Sequence, residues 1–373
     1  MAVTLTHPAF LVTFALIQGV LFLLLIRFLD LYEREPLNVL ALMAAWGATG
    51  AVALSLAGNG IVLGLLPPAL EKTFGSAVAG PLVEEVAKGL ALVVAFSLSW
   101  WAARRFGFLE LEGLTDGMVY GAAVGLGFAF TEDLLYLFNA ADEQGLGAGL
   151  SEYASRVDFF GVGQLGHAVY TGAFGAGLGL ATWSWSWRGR LSFPLLGLVA
   201  AMLMHAVHNG LPSFALAWRY GLENAAAAMA GRSVPGDLFA RMQATAEAAN
   251  TVSKVADYVF VAIFIALAML WLRYQRRVIR DELEEEVRAG FLNQAEWEMM
   301  FRYWERSKWY WQLLWEGKLE RWRLLRRIHN ELVDLAFLKR RLRWTSGDRG
   351  QIGEQIEGQR ERIAFLRSLE AIA

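Results

Sequence analysis

The chain has 373 residues, of which 56% are hydrophobic and 19% charged, and its mean hydropathy is +0.36. A soluble domain is rarely so apolar, and the lack of cysteine excludes disulfides, thiol catalysis and thiolate-bound zinc. With a formal net charge of -2, the chain also lacks the overall basic charge of a nucleic-acid-binding protein.

The charges are distributed unevenly along the chain. Residues 1–273 hold 14 Lys/Arg and 19 Asp/Glu, whereas the much shorter stretch 274–373 holds 20 and 17. We therefore predict a transmembrane helical domain over 1–273 and a charged, Trp-rich helical cytoplasmic domain over 274–373.

Apolar runs long enough to cross roughly 30 Å of hydrocarbon as helices predict the membrane passes. The runs lie near residues 8–29, 37–66, 75–100, 114–139, 159–184, 191–217 and 255–272. The predicted fold class is all-α: a polytopic transmembrane helical bundle of about seven passes followed by the helical cytoplasmic domain. The second run is overlong and ends at Pro67-Pro68, so we expect a tilt or a break in it.

The Lys and Arg residues predict the orientation, because cytoplasmic loops are enriched in them. Arg pairs such as Arg104 with Arg105 and Arg188 with Arg190 mark one set of connections. The other set has single or widely spaced basic residues, as in the outer loop at 219–254. We predict a multi-pass plasma-membrane protein with its amino terminus outside and its carboxyl terminus in the cytoplasm.

Polar side chains inside four of the predicted passes require an explanation, since a charge at the centre of a membrane helix costs about 2.5 to 3.5 kcal/mol. They are Glu84, Glu85 and Lys88 in pass three, Glu132 and Asp133 in pass four, His167 in pass five, and His205, His208 and Asn209 in pass six.

These groups share a depth in the membrane. At 1.5 Å per residue, Glu84, Glu132, His167 and Asn209 lie roughly 10 to 14 Å below the outer face, with His205 one turn deeper. Carboxylates and imidazoles at one level can hold a divalent metal, and a further carboxylate can act as general base. A water whose pKa is lowered by such a metal is a nucleophile for an amide bond.

Five features in chain order carry a family resemblance: YEREP, EEVAK, DGMVYGAAVGLGFAFTED, a His-containing pass and HAVHN. Over about residues 27–215 the chain resembles the PrsW family of intramembrane proteases, within the superfamily of type II CAAX prenyl endopeptidases and abortive-infection membrane proteins. The resemblance implies a metal-dependent protease, and the best-known members make the first cut in a membrane-anchored anti-sigma factor. We expect a single-pass membrane protein of that kind as substrate, the lipid bilayer as surroundings and no nucleic-acid partner.

The resemblance extends to individual residues. Those that match are the paired glutamates Glu84 and Glu85, the basic residue Lys88, Phe128 with the acid four residues later, Glu132, the pass-five histidine His167, and the pair His205 and Asn209. Two positions depart from the family pattern. Asp133 stands where the family more often has Asn, and Glu132 stands where the CAAX branch has His, which favours PrsW-like chemistry.

The predicted site assigns these residues three kinds of role. Glu84 and Glu85 are expected to be catalytic, with Glu84 as general base. The expected ligands of a divalent metal, for which zinc is the best match, come from the set Glu132, His167, His205 and Asn209. Lys88 and Phe128 are expected to support these residues. Lys88 is expected to act as a counter-ion for the glutamates rather than as a catalyst. His208 lies outside the family pattern, and Asp257 lies near a pass end where water or backbone can satisfy it.

Two other classes of function are compatible with the same residues. A transporter or proton relay also uses buried carboxylates and histidines. A non-catalytic membrane scaffold would use the tail to recruit a partner. A relay would couple to a proton gradient without metal, whereas a scaffold would tolerate Glu84→Gln with its binding intact.

The tail has its own helical pattern. Leu325, Ile328, Leu332 and Leu335 recur at helical spacing and predict an antiparallel helical hairpin over 318–371. The Trp-rich stretch before it suits either a helix lying on the membrane or the hydrophobic face of a small helical domain. We expect this region to be where a cytoplasmic protein partner would bind.

Overall fold

The computed structural model describes residues 6–28, 31–32, 35–106, 113–156, 162–184, 186–232, 234–344 and 349–370. Helix accounts for almost all of these residues, and none of them lies in a strand. The predicted all-α class is therefore confirmed.

The chain divides into two compact units. The first comprises Met1–Leu29 and Glu35–Leu267, and the second comprises Asp30–Arg34 and Ala268–Ala373. The division falls a few residues before the boundary predicted at 273, inside one continuous helix.

The helices of the first unit follow one another with short connections. They are α1 (Thr6–Phe28), α2 (Leu37–Trp46), α3 (Val52–Gly64), α4 (Pro68–Phe74), α5 (Gly80–Phe106), α6 (Leu114–Gln144), α7 (Leu146–Arg156), α8 (Val162–Thr182), α9 (Trp187–Tyr220), α10 (Leu222–Met229) and α11 (Gly236–Arg288), the last of which supplies residues to both units. The predicted outer loop at 219–254 is largely helical, since it contains α10 and the first turns of α11.

A π-helical turn over Gly47–Ala51 joins α2 to α3, and a second one over Gly75–Ala79 joins α4 to α5. The first of them interrupts the overlong second run, where a tilt or break was expected. At the same point the Trp46 indole donates a hydrogen bond to the Ala87 carbonyl at 3.2 Å, which ties this run to α5.

Four helical stretches of the described chain are long and apolar enough to cross a membrane. They are Leu37–Gly64, Leu114–Gln144, Trp187–Tyr220 and Gly236–Arg288, with a shorter apolar stretch at Ala15–Arg27. Helices α5 and α8 lie where two further passes were predicted. A helical membrane protein is thus confirmed, while the number of seven passes stays a prediction.

Helix α6 is the central helix of the first unit, because every residue from Leu114 to Ala129 is buried. Its glycines Gly117, Gly121 and Gly125 recur four apart and face the α8 backbone so closely that a Cβ on any of them would collide with an α8 carbonyl oxygen. For Gly125 that oxygen belongs to His167. Small residues allow this approach of two helices in a membrane, and here they fix the position of a candidate site histidine.

We predict that Gly125→Ala destabilises the protein, because the added methyl group has to push α8 and His167 away from α6. Overpacking of this kind costs roughly 1 to 3 kcal/mol. The measurement is the thermal unfolding midpoint in detergent. Gly60→Ala is the matched control, since a Cβ at this helical glycine meets nothing within 4 Å. A midpoint for Gly125→Ala equal to that of Gly60→Ala would contradict the close approach.

The second unit contains four helices in addition to the end of α11. They are α12 (Gln294–Phe301), α13 (Tyr303–Trp315), α14 (Leu319–Trp344) and α15 (Arg349–Glu370).

Helices α14 and α15 pack against each other in opposite directions. Near the middle of the two helices, Gln359 donates to the carboxylate of Glu331 at 2.7 Å. Where α14 begins and α15 ends, Arg321 Nε lies 3.4 Å from Glu370 Oε1. Leu325, Ile328, Leu332 and Leu335, which were expected in the hairpin core, are buried. Part of the predicted turn, residues 345–348, lies outside the described chain.

The Trp-rich stretch contributes Met300 and Leu313 to the core of the second unit, and most of its tryptophans lie at the surface. The Trp297 indole donates to the Arg280 carbonyl at 3.0 Å, whereas Trp304, Trp311 and Trp315 are exposed. Burial lowers the pKa of nearby His329 to about 3, so this imidazole is neutral.

Candidate metal centre

Polar side chains from six helices meet inside the first unit. They are Glu84, Glu85 and Lys88 from α5, Glu132 and Asp133 from α6, Arg156 from α7, His167, Tyr170 and Thr171 from α8, His205, His208 and Asn209 from α9, and Asp257 from α11. All the residues of the predicted site belong to this group or, in the case of Phe128, pack against it.

The Lys88 ammonium is the buried cation of the cluster. Its Nζ lies 2.8 Å from Glu85 Oε1, 3.0 Å from His167 Nδ1 and 3.7 Å from Glu84 Oε2, and the side chain is fully buried. It also lies 3.9 Å from the centre of the Phe128 ring, a favourable cation–π distance. Lys88 therefore lies between two glutamates and a histidine, with the Phe128 ring against its ammonium.

Glu85 is more deeply engaged than its neighbour Glu84. Its Oε2 accepts a hydrogen bond from the Thr171 hydroxyl at 3.0 Å, and its Oε1 accepts from His205 Nδ1 at 3.0 Å as well as from Lys88. A carboxylate bound by three donors is held rigidly in its charged form. Glu85 thus fixes the orientation of the His205 ring.

The hydrogen bonds determine which ring nitrogens carry protons. Because an ammonium can only donate, His167 Nδ1 accepts from Lys88, and the proton on Nε2 is directed to Glu132 Oε2 at 2.9 Å. His205 donates from Nδ1 to Glu85, so its Nε2 accepts from the Asn209 amide at 3.2 Å. Each imidazole therefore has a carboxylate on one nitrogen and a lone pair on the other.

Glu132 lies at the edge of the cluster next to an arginine that motif spacing did not reveal. Arg156 donates to Glu132 Oε2 at 3.1 Å and to Asp133 Oδ1 at 2.8 Å, and its guanidinium lies 3.9 Å from the centre of the Tyr136 ring. Arg156 is the last residue of α7, in a connection whose isolated basic residue served only as an orientation marker in the sequence. Asp133 therefore binds Arg156 together with Glu132.

Glu84, His167 and His205 form a group that can hold a metal, because each offers one ligand atom and these atoms lie within 4.8 Å of one another. Glu84 Oε2 is buried, 3.7 Å from both Lys88 Nζ and His205 Nε2, and has no hydrogen-bond partner in the described chain. A buried charged oxygen without a partner is costly, and a bound cation removes that cost.

The charges of the cluster also favour a divalent cation. Four carboxylates, Glu84, Glu85, Glu132 and Asp133, are paired with two cationic side chains, Lys88 and Arg156. When all four are ionised, two negative charges remain, which one divalent ion would neutralise. Imidazole nitrogen and carboxylate oxygen are ligands suited to zinc.

A second polar group adjoins the two histidines. Asp257 accepts from the Tyr170 hydroxyl at 2.5 Å and from His208 Nδ1 at 2.6 Å. The expectation that water or backbone satisfies Asp257 is therefore wrong: the residue is 3% exposed and bound by two side chains. No motif in the sequence singles out Tyr170, although its place three residues after His167 puts it near the same face of α8.

These features define a helical membrane protein with a buried carboxylate and histidine centre fit for a divalent metal. The family model of PrsW family intramembrane metalloproteases matches residues 35–230, which is more than half of the chain. The chain belongs to the PrsW family and is an intramembrane metalloprotease, as the motifs indicated. No curated protein and no solved structure matches it.

Proposed function

We propose that this chain hydrolyses a peptide bond in a single-pass membrane protein of the anti-sigma-factor kind, with zinc held by Glu84, His167 and His205. The observation that carries the proposal is the unpartnered Glu84 oxygen beside two imidazoles whose far nitrogens are held by carboxylates. Carboxylate–histidine–metal arrangements of this type orient the ring and raise its basicity.

This assignment redistributes the roles expected from the sequence. Glu84 Oε2 joins the ligands, while Glu84 Oε1 keeps the expected role of base. Glu132, expected as a ligand, binds His167 Nε2 and orients that ring. Glu85, expected to be catalytic, acts by fixing His205.

The chemistry follows from the positions of these residues. Zinc bound here supplies a Lewis acid that lowers the pKa of a water molecule and polarises the peptide carbonyl. Glu84 Oε1 would take the proton from the attacking water and return it to the leaving nitrogen. Asn209, instead of serving as a ligand, donates its amide hydrogen to the carbonyl oxygen as negative charge develops there.

Lys88 and Asn209 now occupy the two lone pairs that the metal would use, at His167 Nδ1 and His205 Nε2. If His205 Nε2 held the metal, the Asn209 amide would be free to bind the substrate. Lys88 would then stay paired with Glu85, which lies 2.8 Å from its ammonium. Lys88 thus compensates the buried carboxylates with or without the metal.

Cleavage of a membrane substrate is tested by comparing cells that express the wild type with cells that express Glu84→Gln. We expect new amino termini inside the membrane span of one or a few single-pass proteins in wild-type cells, reduced more than about a hundredfold in the variant because a ligand is lost. The measurement is quantitative mass spectrometry of protein termini in isolated membranes.

The control for this comparison is Glu71→Gln, a half-exposed carboxylate of α4 that pairs with Lys72 outside the cluster. Equal sets of termini for the wild type and Glu84→Gln would contradict the protease proposal. Cleavage that persists in membranes treated with a zinc chelator would contradict the metal mechanism alone.

We also propose that the protein lies in the plasma membrane with its amino terminus outside and the second unit in the cytoplasm. The proposal rests on the Arg distribution, since Arg188 and Arg190 lie in the first turn of α9, on the side opposite to α7. It would open the candidate site to the outer half of the bilayer.

The orientation is testable with single cysteines, because the chain has none of its own. A membrane-impermeant maleimide is expected to label Gln144→Cys, at the end of α6, in intact spheroplasts. It is expected to label Glu320→Cys, on the exposed surface of α14, only after the spheroplasts are lysed. The reverse pattern would overturn the orientation and the depth assigned to the site.

A further inference from the structure

Helix α11 lies outside the stretch that matches the PrsW family model, which ends at residue 230. It nevertheless contributes two buried polar residues that face α9. The Ser253 hydroxyl donates to the Val207 and His208 carbonyls at 3.3 and 2.9 Å, and Asp257, one turn further along, binds the His208 side chain. One stripe of α11 is therefore docked on the helix that carries His205.

The two oxygens of Asp257 have different partners. Oδ2 lies 2.6 Å from His208 Nδ1 on α9, and Oδ1 accepts from the Tyr170 hydroxyl on α8 at 2.5 Å. Hydrogen bonds to an ionised acceptor are short and strong, so a single carboxylate fixes side chains on both helices that carry the candidate histidine ligands.

Tyr170 transmits this restraint to the metal centre. Its ring stacks on His205, with centroids 5.3 Å apart and planes at 21°, and meets His167 edge-on at 5.8 Å. The two imidazole centroids are themselves 4.8 Å apart. The tyrosine ring therefore forms one wall against both histidines, and its hydroxyl is anchored by Asp257.

We propose that Asp257 is a positioning residue of the proteolytic site: through Tyr170 it holds His205 and His167 at the separation needed to bind the metal. The inference rests on the proposed function, because it assigns these histidines to the metal. It adds to the site a helix that the family match does not include. The hydrogen bonds of Asp257 go to Tyr170 and His208, and Tyr170 is the side chain whose ring contacts both candidate histidine ligands.

The test is a double-mutant cycle on the full-length protein in detergent, with zinc affinity measured by competition with a chromogenic chelator. Asp257→Ala and Tyr170→Phe are each expected to weaken zinc binding by about tenfold, the lower end of what the loss of an outer-sphere partner costs. The double variant should be no weaker than either single one, because both changes break the same hydrogen bond. Asp237→Asn, a 79% exposed aspartate on the same helix, should bind zinc as the wild type does.

A second readout does not depend on zinc or on activity. In metal-free protein labelled with ¹⁵N-histidine, assigned by single substitutions among the five histidines, Asp257→Ala and Tyr170→Phe should shift the His205 ring nitrogens in the same direction. Tyr170→Phe keeps the ring and removes only the hydroxyl, so it serves if Asp257→Ala fails to fold. In Asp257→Ala the His208 Nδ1 signal should also lose its hydrogen-bonded character.

The outcomes separate the two proposals. If the folded wild type binds no zinc, the proposed function fails, while coincident His205 shifts would still support the positioning role. Zinc affinities within twofold of the wild type, or losses that add in the double variant, would overturn it. Unchanged His205 ring signals in both single variants would overturn it as well.

Discussion

The cost of placing charge in an apolar helical bundle is the constraint on which the rest of the structure depends. Each buried charged group has to find a partner, since an unpaired one costs several kcal/mol. Lys88 is surrounded by glutamates and an imidazole, Arg156 binds two adjacent carboxylates, and Asp257 binds a tyrosine and a histidine. Glu84 Oε2 accepts no hydrogen bond, although Lys88 Nζ lies 3.7 Å away, and it lies where two imidazoles also converge. The incomplete pairing marks the place where function, rather than stability, explains the residues.

Close helix packing makes this arrangement possible. The glycine row on α6 brings the α8 backbone near enough for Glu132 and His167 to hydrogen-bond at 2.9 Å. On the other side, Thr171 and His205 reach the same Glu85 carboxylate from α8 and α9. Ligand distances in a metal site tolerate errors of only a few tenths of an ångström. The glycines at these positions therefore matter for the proposed site because they set the distance between α6 and α8.

Much of this architecture is predictable from the sequence because the lipid bilayer limits the length of a helix that crosses it and the charges that such a helix can carry. Apolar run lengths located the long helices, and the cost of intramembrane charge alone singled out Glu84, Glu132, His167 and His205. The family motifs added the pairing of His205 with Asn209. Gly47 and Gly50, in the π-turn after Trp46, lie within the overlong run where a tilt or a break was expected.

What the sequence did not predict depends on which face of each helix meets which neighbour. Glu84 and Lys88 have the i,i+4 spacing that suits an ion pair, yet Glu85 Oε1 is closer to the ammonium, at 2.8 Å against 3.7 Å. Arg156 and Asp257 lie on elements whose approach to the site is a property of the assembled bundle, so no spacing within one helix reveals them. Tyr170 resembles an ordinary packing residue until its hydroxyl partner on α11 is known.

Glu84, His167 and His205 are the residues that we propose to hold one divalent metal. The most direct test of this proposal is the metal content of detergent-purified protein by elemental mass spectrometry, with wild type beside His205→Ala, Glu84→Ala and the control Glu71→Gln. We expect about one zinc per chain in the wild type and in Glu71→Gln. We expect His205→Ala and Glu84→Ala to lose the zinc without losing helical content. Well-folded wild type that holds no divalent metal, even after zinc has been supplied, would contradict the proposal.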